Sequence, residues 1–258
     1  MLAEKYRPRT FGAVVGQAAV VDHVRSILAQ GWGGRRWWLS GRPGHGKTML
    51  AHLIAEVGTD RWSITDMDAS ELTAARLAEL RQEVHFFGFG GKPGRAWIIN
   101  EAHAFRRGDA LLQLCVLLDQ LPPHTCFVFT TTAVGEAMLL EDCADAGPLM
   151  SRCHVVRIGA PDEGACVRYL ERVARLEGLP KRPRSDYVRL VRGCAGDVRA
   201  MLNALEGSNW EWHVRVSERR CPGCGDLLRP GKQWCRTKCY LDNLRKRRNG
   251  TAISTEAR

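Results

Sequence analysis

The segment at residues 41–48 reads Gly-Arg-Pro-Gly-His-Gly-Lys-Thr, and it constrains the fold of this chain more than any other segment. A short apolar run at residues 36–40 precedes it, and apolar residues at helical spacing follow it between residues 49 and 57. The order strand, glycine loop, helix is that of a phosphate-binding loop, in which backbone amides and the positive end of the helix face an anion. We therefore predict a parallel α/β nucleotide-binding domain; an ordinary glycine turn before a helix is the alternative.

The residues of this loop have distinct expected roles toward ATP. Gly44 and Gly46 would let backbone amides turn toward the phosphates. Lys47 would neutralise β- and γ-phosphate oxygens, and Thr48 would hold Mg²⁺. The full set that is predicted to contact the nucleotide at the loop is Gly41, Pro43, Gly44, His45, Gly46, Lys47, Thr48 and Met49.

A second strand is predicted at residues 95–99, and it ends in Asn100 and Glu101. An acidic residue at a strand end beside a phosphate loop is where nucleoside triphosphatases activate water, so Glu101 is the candidate general base. Asn100 occupies the place where such enzymes carry an aspartate that holds the hydrated Mg²⁺. Its amide oxygen accepts hydrogen bonds but carries no negative charge, which favours nucleotide binding over fast hydrolysis. A polar cap on the strand is the alternative interpretation.

Three threonines, residues 130–132, follow a third predicted strand at residues 126–129. A hydroxyl at this strand end would sense the γ-phosphate or orient the attacking water. High β-propensity alone also explains a run of threonines.

Further segments before and after these strands complete an ordered series. Residues 4–11, Glu-Lys-Tyr-Arg-Pro-Arg-Thr-Phe, and residues 14–17, Val-Val-Gly-Gln, precede the phosphate loop. Residues 149–153 are Leu-Met-Ser-Arg-Cys, and residues 196–199 are Gly-Asp-Val-Arg. In this order, from residue 2 to about residue 207, the chain resembles the clamp-loader branch of the AAA+ ATPases. That branch contains replication-factor-C small subunits and bacterial and phage clamp-loader subunits.

This resemblance implies a catalytic site that is shared between subunits. The N-terminal segment would form the adenine pocket, with Tyr6, Arg7, Pro8, Val15 and Gly16 as its candidate residues. Thr132 would be the sensor-1 residue, and Arg152 would be an arginine finger that reaches the γ-phosphate held by a neighbouring subunit. Arg199 would report nucleotide occupancy from a helical lid. Without the motif context, both arginines would be interpreted as solvated surface charges.

The implied fold class is α/β: an AAA+ P-loop NTPase parallel sheet with a small helical lid, followed by a C-terminal four-cysteine zinc module. The expected domains are residues 1–159 for the nucleotide-binding part, 160–207 for the lid, 208–218 for a linker and 219–258 for the module. Three lid helices are predicted to open near Pro161, Ser185 and Asp197. Residues 208–258 are too few for the collar domain of clamp loaders. Assembly through the ATPase faces alone, a collar from another subunit, or a different task would explain this departure.

Four of the ten cysteines lie together near the C-terminus, at Cys221, Cys224, Cys235 and Cys239. The first pair is a Cys-x-x-Cys knuckle, and the second pair is spaced i and i+4, as on one helix face. Four thiolates at this spacing indicate a closed, structural Zn²⁺ site. Disulfides or unbound thiols are the alternatives. The other six cysteines are scattered singly and are expected to be reduced packing residues.

The net charge of +10 is concentrated in the same segment. Residues 214–258 contain 12 lysines and arginines against four acidic residues. Basic side chains around a small metal-folded module predict binding to nucleic-acid phosphates, and a solvated terminus is the alternative. The candidate nucleic-acid contacts are Arg236, Lys238, Arg245, Lys246, Arg247 and Arg248.

Hydropathy gives no sign of a membrane protein. No run of residues approaches the roughly 18 apolar residues of a membrane span, and the first residues lack the apolar core of a signal peptide. A cytoplasmic protein, bacterial or phage-encoded and without a membrane partner, is therefore expected.

These patterns together predict an ATP-binding and ATP-hydrolysing subunit of a clamp-loader-like assembly in DNA replication or repair, with ATP, Mg²⁺ and Zn²⁺ as cofactors. The expected partners are primed DNA or a junction of single- and double-stranded DNA, other AAA+ subunits of the same or a different kind, and a sliding clamp. Two alternatives remain open. One is a non-hydrolysing, ATP-dependent DNA-binding adaptor, and the other is an AAA+ remodeller of a DNA-bound protein in transposition or phage replication.

Overall fold

The structure is a computed structural model that describes residues 1–105, 109–142 and 146–207. Its contacts divide the chain into two compact units: Tyr6–Asp162, and a helical unit in which Met1–Lys5 join the described residues from Glu163 onward. The first five residues thus group with the helices that were expected to form a lid. The linker and four-cysteine module predicted at residues 208–258 lie outside the described residues.

Five strands belong to the larger unit. They are β1 (Arg35–Gly41), β2 (Ile64–Asp68), β3 (Arg95–Asn100), β4 (Thr125–Thr131) and β5 (His154–Ile158).

The helices of the described residues are, in chain order, α1 (Leu2–Lys5), α2 (Ala18–Leu28), α3 (Lys47–Gly58), α4 (Ala74–Glu83), α5 (Asp109–Asp119), α6 (Ala133–Asp142), α7 (Ala146–Ser151), α8 (Glu163–Leu176), α9 (Arg184–Gly193) and α10 (Val198–Glu206). Within this part of the chain, no helix combines the length and the apolar composition that a membrane span requires.

The strands form one parallel sheet in the order β2-β3-β4-β1-β5. A parallel sheet needs helices on both faces, so its inner strands are buried along most of their length. β4 meets this condition, since all seven of its residues are buried, and β1 and β3 are buried through their centres. The predicted parallel α/β sheet is confirmed.

Alternating side chains of the strands build two cores, one on each face of the sheet. Trp37 and Leu39 of β1 pack with Leu50 and Ile54 of α3 on one face. On the other face, Trp38 packs in a second cluster, where the rings of Trp97 and Phe127 stack with centroids 4.9 Å apart. Full burial of each such side chain contributes about 1.5–3 kcal/mol to stability.

The helical unit contains α1, α8, α9 and α10. The three helices predicted after residue 160 are present as α8, α9 and α10. Their buried faces supply a small core that includes Leu170, Leu190 and Leu202. α1 is tied to this unit because the Leu2 amide donates to Glu206 Oε2 at 3.0 Å and Lys5 Nζ lies 2.7 Å from Glu177 Oε1.

Five cysteines fall within the described residues, and none of these five is in a disulfide: Cys115, Cys126, Cys153, Cys166 and Cys194. Burial raises the pKa of the Cys153 thiol to about 12, and it does the same for Cys194. A thiol with so high a pKa holds almost no thiolate at neutral pH and is unreactive. These properties agree with the predicted packing role.

Candidate active site

The phosphate loop lies at the carboxyl edge of the sheet, between the end of β1 and the start of α3. β1 has β4 on one side and β5 on the other, so the chain connections diverge at this strand. Ligands of open α/β sheets bind outside the carboxyl ends of the strands at such a switch point. The predicted loop therefore occupies the place where this topology provides a binding crevice.

The backbone of the loop requires glycine at three positions. Gly44 and Gly46 have positive φ angles of 74° and 93°, which residues with a side chain rarely adopt. Gly46 is also the N-cap of α3, so the loop leads directly into the positive end of this helix. At Gly41, a Cβ atom would lie 2.5 Å from the Ile158 carbonyl oxygen of the neighbouring strand.

The Lys47 ammonium group lies inside the loop. The side chain is 9 % exposed, and Nζ donates to the carbonyl oxygens of Gly41 and Arg42 at 3.0 Å each. A largely buried ammonium with carbonyl partners is costly in a loop without an anionic ligand and favourable beside a phosphate. The donor set of this loop fits a phosphate chain.

Asn100 and Thr130 lie side by side at the ends of β3 and β4. The Thr130 hydroxyl, which is buried, donates to Asn100 Oδ1 at 2.9 Å. Thr130 therefore fixes the amide of Asn100, a role that the threonine run did not reveal. The pair presents oxygens of the kind Mg²⁺ accepts but no negative charge.

Glu101 follows β3 in a left-handed backbone conformation, with φ 51° and ψ 47°. Non-glycine residues in this region store about 1–3 kcal/mol of strain and cluster at active sites. The side chain is 53 % exposed, with Oε2 3.4 Å from His103 Nδ1, and the same nitrogen lies 3.2 Å from Thr131 Oγ1. His103 is in turn held by α6, because a Cβ atom at Gly135 would lie 2.5 Å from its ring. The candidate base is thus strained, accessible and oriented.

Thr132, the predicted sensor, lies at the start of α6. Its Oγ1 accepts a hydrogen bond of 2.9 Å from the Gly135 amide, so the residue caps the helix. The hydroxyl proton is still available to a phosphate oxygen or a water, because the cap uses only the acceptor. The sensor assignment stays a prediction.

A cavity of about 480 Å³ lies between the phosphate loop, the ends of β1 and β5 and the start of α6. Its volume is within the range of small-molecule sites. Glu136, 7 % exposed, lines it and accepts hydrogen bonds from Trp38 Nε1 at 3.2 Å and from Arg157 at 3.1 Å. Sequence reasoning missed Glu136 and Arg157, since a single charge on a helix or strand carries no spacing signal.

The N-terminal segment is attached to the end of β5 through Gly16 and Gln17. The Asp162 amide donates to the Gly16 carbonyl at 2.9 Å, and Gln17 Nε2 donates to the Gly159 carbonyl at 2.8 Å. Gly16 has a φ of 67°, and a Cβ atom there would lie 2.6 Å from the Asp162 nitrogen. Gly16 and Gln17 therefore lie beside the segment that follows β5, the strand that pairs with Gly41.

Tyr6, Arg7 and Pro8 precede this contact; Tyr6 and Pro8 are half-buried and Arg7 is exposed. Burial lowers the pKa of His52 on α3, Asp66 opposes the shift, and the positive charge of Arg7 adds to it. Arg7 therefore lies near the helix that begins at the phosphate loop. The adenine-pocket assignment of these residues stays a prediction.

Arg152 follows α7 and is held by Asp119, the last residue of α5. Its Nε lies 2.8 Å and 3.0 Å from the two carboxylate oxygens, and its Nη1 donates to the Pro148 carbonyl at 2.9 Å. The hydrogen bond from Arg152 lowers the pKa of the Asp119 carboxyl below its ordinary value. No sequence pattern pointed to Asp119, which is 33 residues away from Arg152.

Arg199 is the second residue of α10 in the helical unit, and its side chain is exposed. The predicted zinc ligands and nucleic-acid contacts lie outside the described residues. Among the residues that the structure does describe, no three His, Cys, Asp or Glu side chains form a metal-binding group.

No protein-family model matches the chain. A replication factor C small subunit of Natronomonas pharaonis is 27 % identical over 210 residues, which are 80 % of this chain and 61 % of that protein. A DNA polymerase III subunit gamma of Buchnera aphidicola is 25 % identical over 230 residues, covering 80 % of this chain and 60 % of that protein. The chain thus spans about 60 % of the length of these curated relatives.

Solved structures of RuvB from Thermotoga maritima share the fold. One of them, a single-residue variant, has a TM-score of 0.61 and 19 % identity, and the match covers 78 % of this chain and 64 % of that chain. Another, a Holliday junction branch migration motor, has a TM-score of 0.59 and 20 % identity over the same shares.

Proposed function

We propose that this chain is an ATP-binding and ATP-hydrolysing AAA+ subunit of a clamp-loader-like assembly that acts on DNA in replication or repair. The observation that carries the proposal is the buried Lys47 ammonium group inside a glycine loop at the switch point of the sheet. The names of the two curated relatives, a replication factor C small subunit and a DNA polymerase III subunit gamma, support the clamp-loader assignment.

Within one chain, the residues at the sheet edge divide the work of binding and hydrolysis. Lys47 and the amides at the start of α3 bind the phosphates. Thr48 and Asn100 would hold Mg²⁺, which would offset the charge of the triphosphate. Glu101 accepts a proton from the attacking water, and its strained, accessible position suits a base that meets a mobile substrate.

Between chains, Arg152 is proposed to complete a neighbour's site, because a guanidinium carries a permanent charge and matches phosphate geometry. Arg199 is proposed to report nucleotide occupancy. The four cysteines of the C-terminal segment are proposed to bind Zn²⁺, and the basic residues around them to bind DNA. Other AAA+ subunits and a sliding clamp complete the proposed set of partners.

Steady-state ATP turnover with and without primed DNA tests the proposal. The wild-type chain is expected to hydrolyse ATP, and Glu101→Gln is expected to bind ATP with unchanged affinity but to lose turnover by about a hundredfold or more. Glu79→Gln, which makes the same change on the exposed surface of α4, is the matched control. Unchanged turnover in Glu101→Gln would remove Glu101 from the mechanism.

The geometry of Asn100 favours one second candidate, an ATP-dependent DNA-binding subunit without hydrolysis. Asn100 has no negative charge, and its amide oxygen already accepts the Thr130 hydroxyl. In that case the same assay would show tight ATP binding, ATP-dependent DNA binding and no turnover by the wild-type chain.

A further inference from the structure

The contacts of Arg152 involve two of its three guanidinium nitrogens, Nε and Nη1. Both carboxylate oxygens of Asp119 accept a hydrogen bond from Nε, and the Pro148 carbonyl oxygen accepts one from Nη1. A guanidinium has five N–H donors in a rigid plane. Among the residues that the structure describes, Nη2 has no acceptor within hydrogen-bond distance, so its two donors and one of Nη1 remain for a ligand.

The carboxylate and the carbonyl come from different elements. Asp119 ends α5, whereas Pro148 lies in α7, which immediately precedes Arg152. Two fixed acceptors on separate elements define the plane of the guanidinium, whereas one acceptor would leave it free to rotate. A long arginine side chain that is not held in this way loses rotamer entropy when it binds a phosphate, and this loss weakens the interaction.

Stability does not account for this pair. The Arg152 side chain is 33 % exposed and that of Asp119 is 49 % exposed. Ion pairs exposed to this degree contribute little to folding, because water screens the charges. Removal of the Asp119 carboxylate should therefore leave the chain folded.

We propose that Asp119 is a positioning residue that holds Arg152 through Nε and directs its remaining donors to the triphosphate bound by an adjacent subunit, an inference that rests on the proposed function. Asp119 does not touch the nucleotide. It orients a charge before the subunits meet, so that less ordering is needed in the transition state.

Mixtures of two inactive variants test this role. Lys47→Ala chains retain Arg152 but lack a nucleotide site, and we call them finger donors. Arg152→Ala chains retain the nucleotide site but lack the finger, and we call them site donors. Turnover of ATP by the mixture with primed DNA requires the arginine to act across an interface. Asp119→Ala is then added to either chain, and kcat and KM are measured.

On the finger donor, Asp119→Ala is expected to lower kcat of the mixture by roughly tenfold to a hundredfold with KM unchanged. Asp119→Glu at the same place should restore most of the rate. On the site donor, Asp119→Ala should have no effect, because that chain has no finger. Glu171→Gln on the finger donor removes another carboxylate whose two oxygens accept hydrogen bonds from an arginine, and it should also have no effect.

Three outcomes would overturn the inference: an unchanged kcat, an equal loss with Asp119→Ala on either chain, or a gain in kcat, which would make the pair a latch that restrains the finger. The failure of the proposed function is distinguishable. If the mixture of Lys47→Ala and Arg152→Ala chains lacks turnover while the wild-type chain hydrolyses ATP, Arg152 does not act across an interface. That result would also contradict the role of Asp119.

Discussion

At the scale of single residues, the chemistry of the site depends on what each polar group contacts. Asn100 and Glu101 are adjacent in sequence, but their side chains are constrained differently. The Asn100 amide is fixed by a hydrogen bond from Thr130, whereas the Glu101 carboxylate is half exposed. Binding of Mg²⁺ and activation of water are therefore assigned to two side chains with different constraints. We expect the lack of a negative charge at Asn100 to limit the rate of ATP hydrolysis.

We expect Asn100→Asp to raise ATP turnover by about tenfold. The aspartate keeps an oxygen for the Thr130 hydroxyl and adds a negative charge for hydrated Mg²⁺, and about 1.4 kcal/mol of transition-state stabilisation corresponds to a tenfold rate. The measurement is kcat at saturating Mg²⁺ and ATP. Asn203→Asp, the same change at an exposed position of α10, is the control. A rate at or below that of the wild type would show that charge at residue 100 does not limit hydrolysis.

At the scale of elements, the site depends on close contacts between strand ends and the segments that follow them. Gly41 at the end of β1 lies too close to Ile158 of β5 for a side chain, and Gly16 lies too close to Asp162, which follows β5. These two glycines hold the phosphate loop and the proposed adenine segment near the same strand.

Gly16→Ala is predicted to destabilise the larger unit and to weaken ATP binding. The left-handed backbone at residue 16 costs a side-chain-bearing residue about 1–2 kcal/mol, and the added Cβ atom would displace the Asp162 backbone. Chemical denaturation and equilibrium ATP binding measure the two effects. Gly12→Ala is the control, because a Cβ atom there meets no neighbour within 4 Å. Equal stability of the two variants would contradict the assigned contact.

The first residue of β5 makes stability depend on pH. Arg35 Nη1 lies 3.0 Å from His154 Nε2, so this nitrogen must be an acceptor and the imidazole must be neutral. Partial burial lowers the pKa of His154 below its ordinary value of 6.5, and the charges of Arg35, Arg36 and His23 add to the shift. Because the unfolded chain binds the proton more readily, the contribution of neutral His154 to stability is fully present above pH 6.5 and is lost as the pH falls below it.

We therefore expect the free energy of unfolding to decrease from about pH 7 to about pH 5, and His154→Gln to reduce that slope, since glutamine accepts from Arg35 without titrating. Denaturant titrations at several pH values across this range measure the free energy of unfolding. His85→Gln, which removes a histidine at an exposed position, is the control. An identical slope in wild type and His154→Gln would rule out this contribution.

The elements differ in how far their sequences predict them, and the position in the sheet explains the difference. The inner strands β1, β3 and β4 have apolar centres of three or four consecutive residues and are predictable for that reason. The edge strands β2 and β5 have one neighbour each and contain exposed polar residues, so they lack this pattern. In the site, the spacing of the motifs predicts the phosphate loop and the candidate base. Partners such as Asp119, Thr130 and Glu136 come together through the fold and have no local signal.

At the scale of the whole molecule, positive charge is spread unevenly along the chain. Residues 1–213 contain 26 basic and 24 acidic residues, so the part that includes the phosphate loop is nearly neutral. Residues 214–258 carry the excess. Lys47, Arg152 and Arg199 are proposed to act singly at the triphosphate site, and the basic cluster is proposed to act on a nucleic-acid backbone.

Deletion of residues 214–258 is expected to weaken DNA binding while ATP affinity stays unchanged. Binding through many phosphate contacts falls steeply with salt, so the truncated chain should also show a shallower salt dependence. Replacement of Arg245, Lys246, Arg247 and Arg248 by alanine in the full chain should have part of this effect. Because the four cysteines are proposed to bind Zn²⁺, a chelator is expected to reproduce the deletion. Loss of ATP binding in the truncated chain would show that the two functions are not separable.

Equilibrium binding of ATP to Lys47→Ala tests the central claim most directly, because nucleotide recognition is assigned to the ammonium group in the loop. Lys181→Ala, at an exposed position of the helical unit, is the matched control. We predict that Lys47→Ala lowers ATP affinity by at least about a hundredfold, which corresponds to about 2.7 kcal/mol, and that Lys181→Ala binds as the wild type does. Wild-type affinity in Lys47→Ala would contradict this assignment.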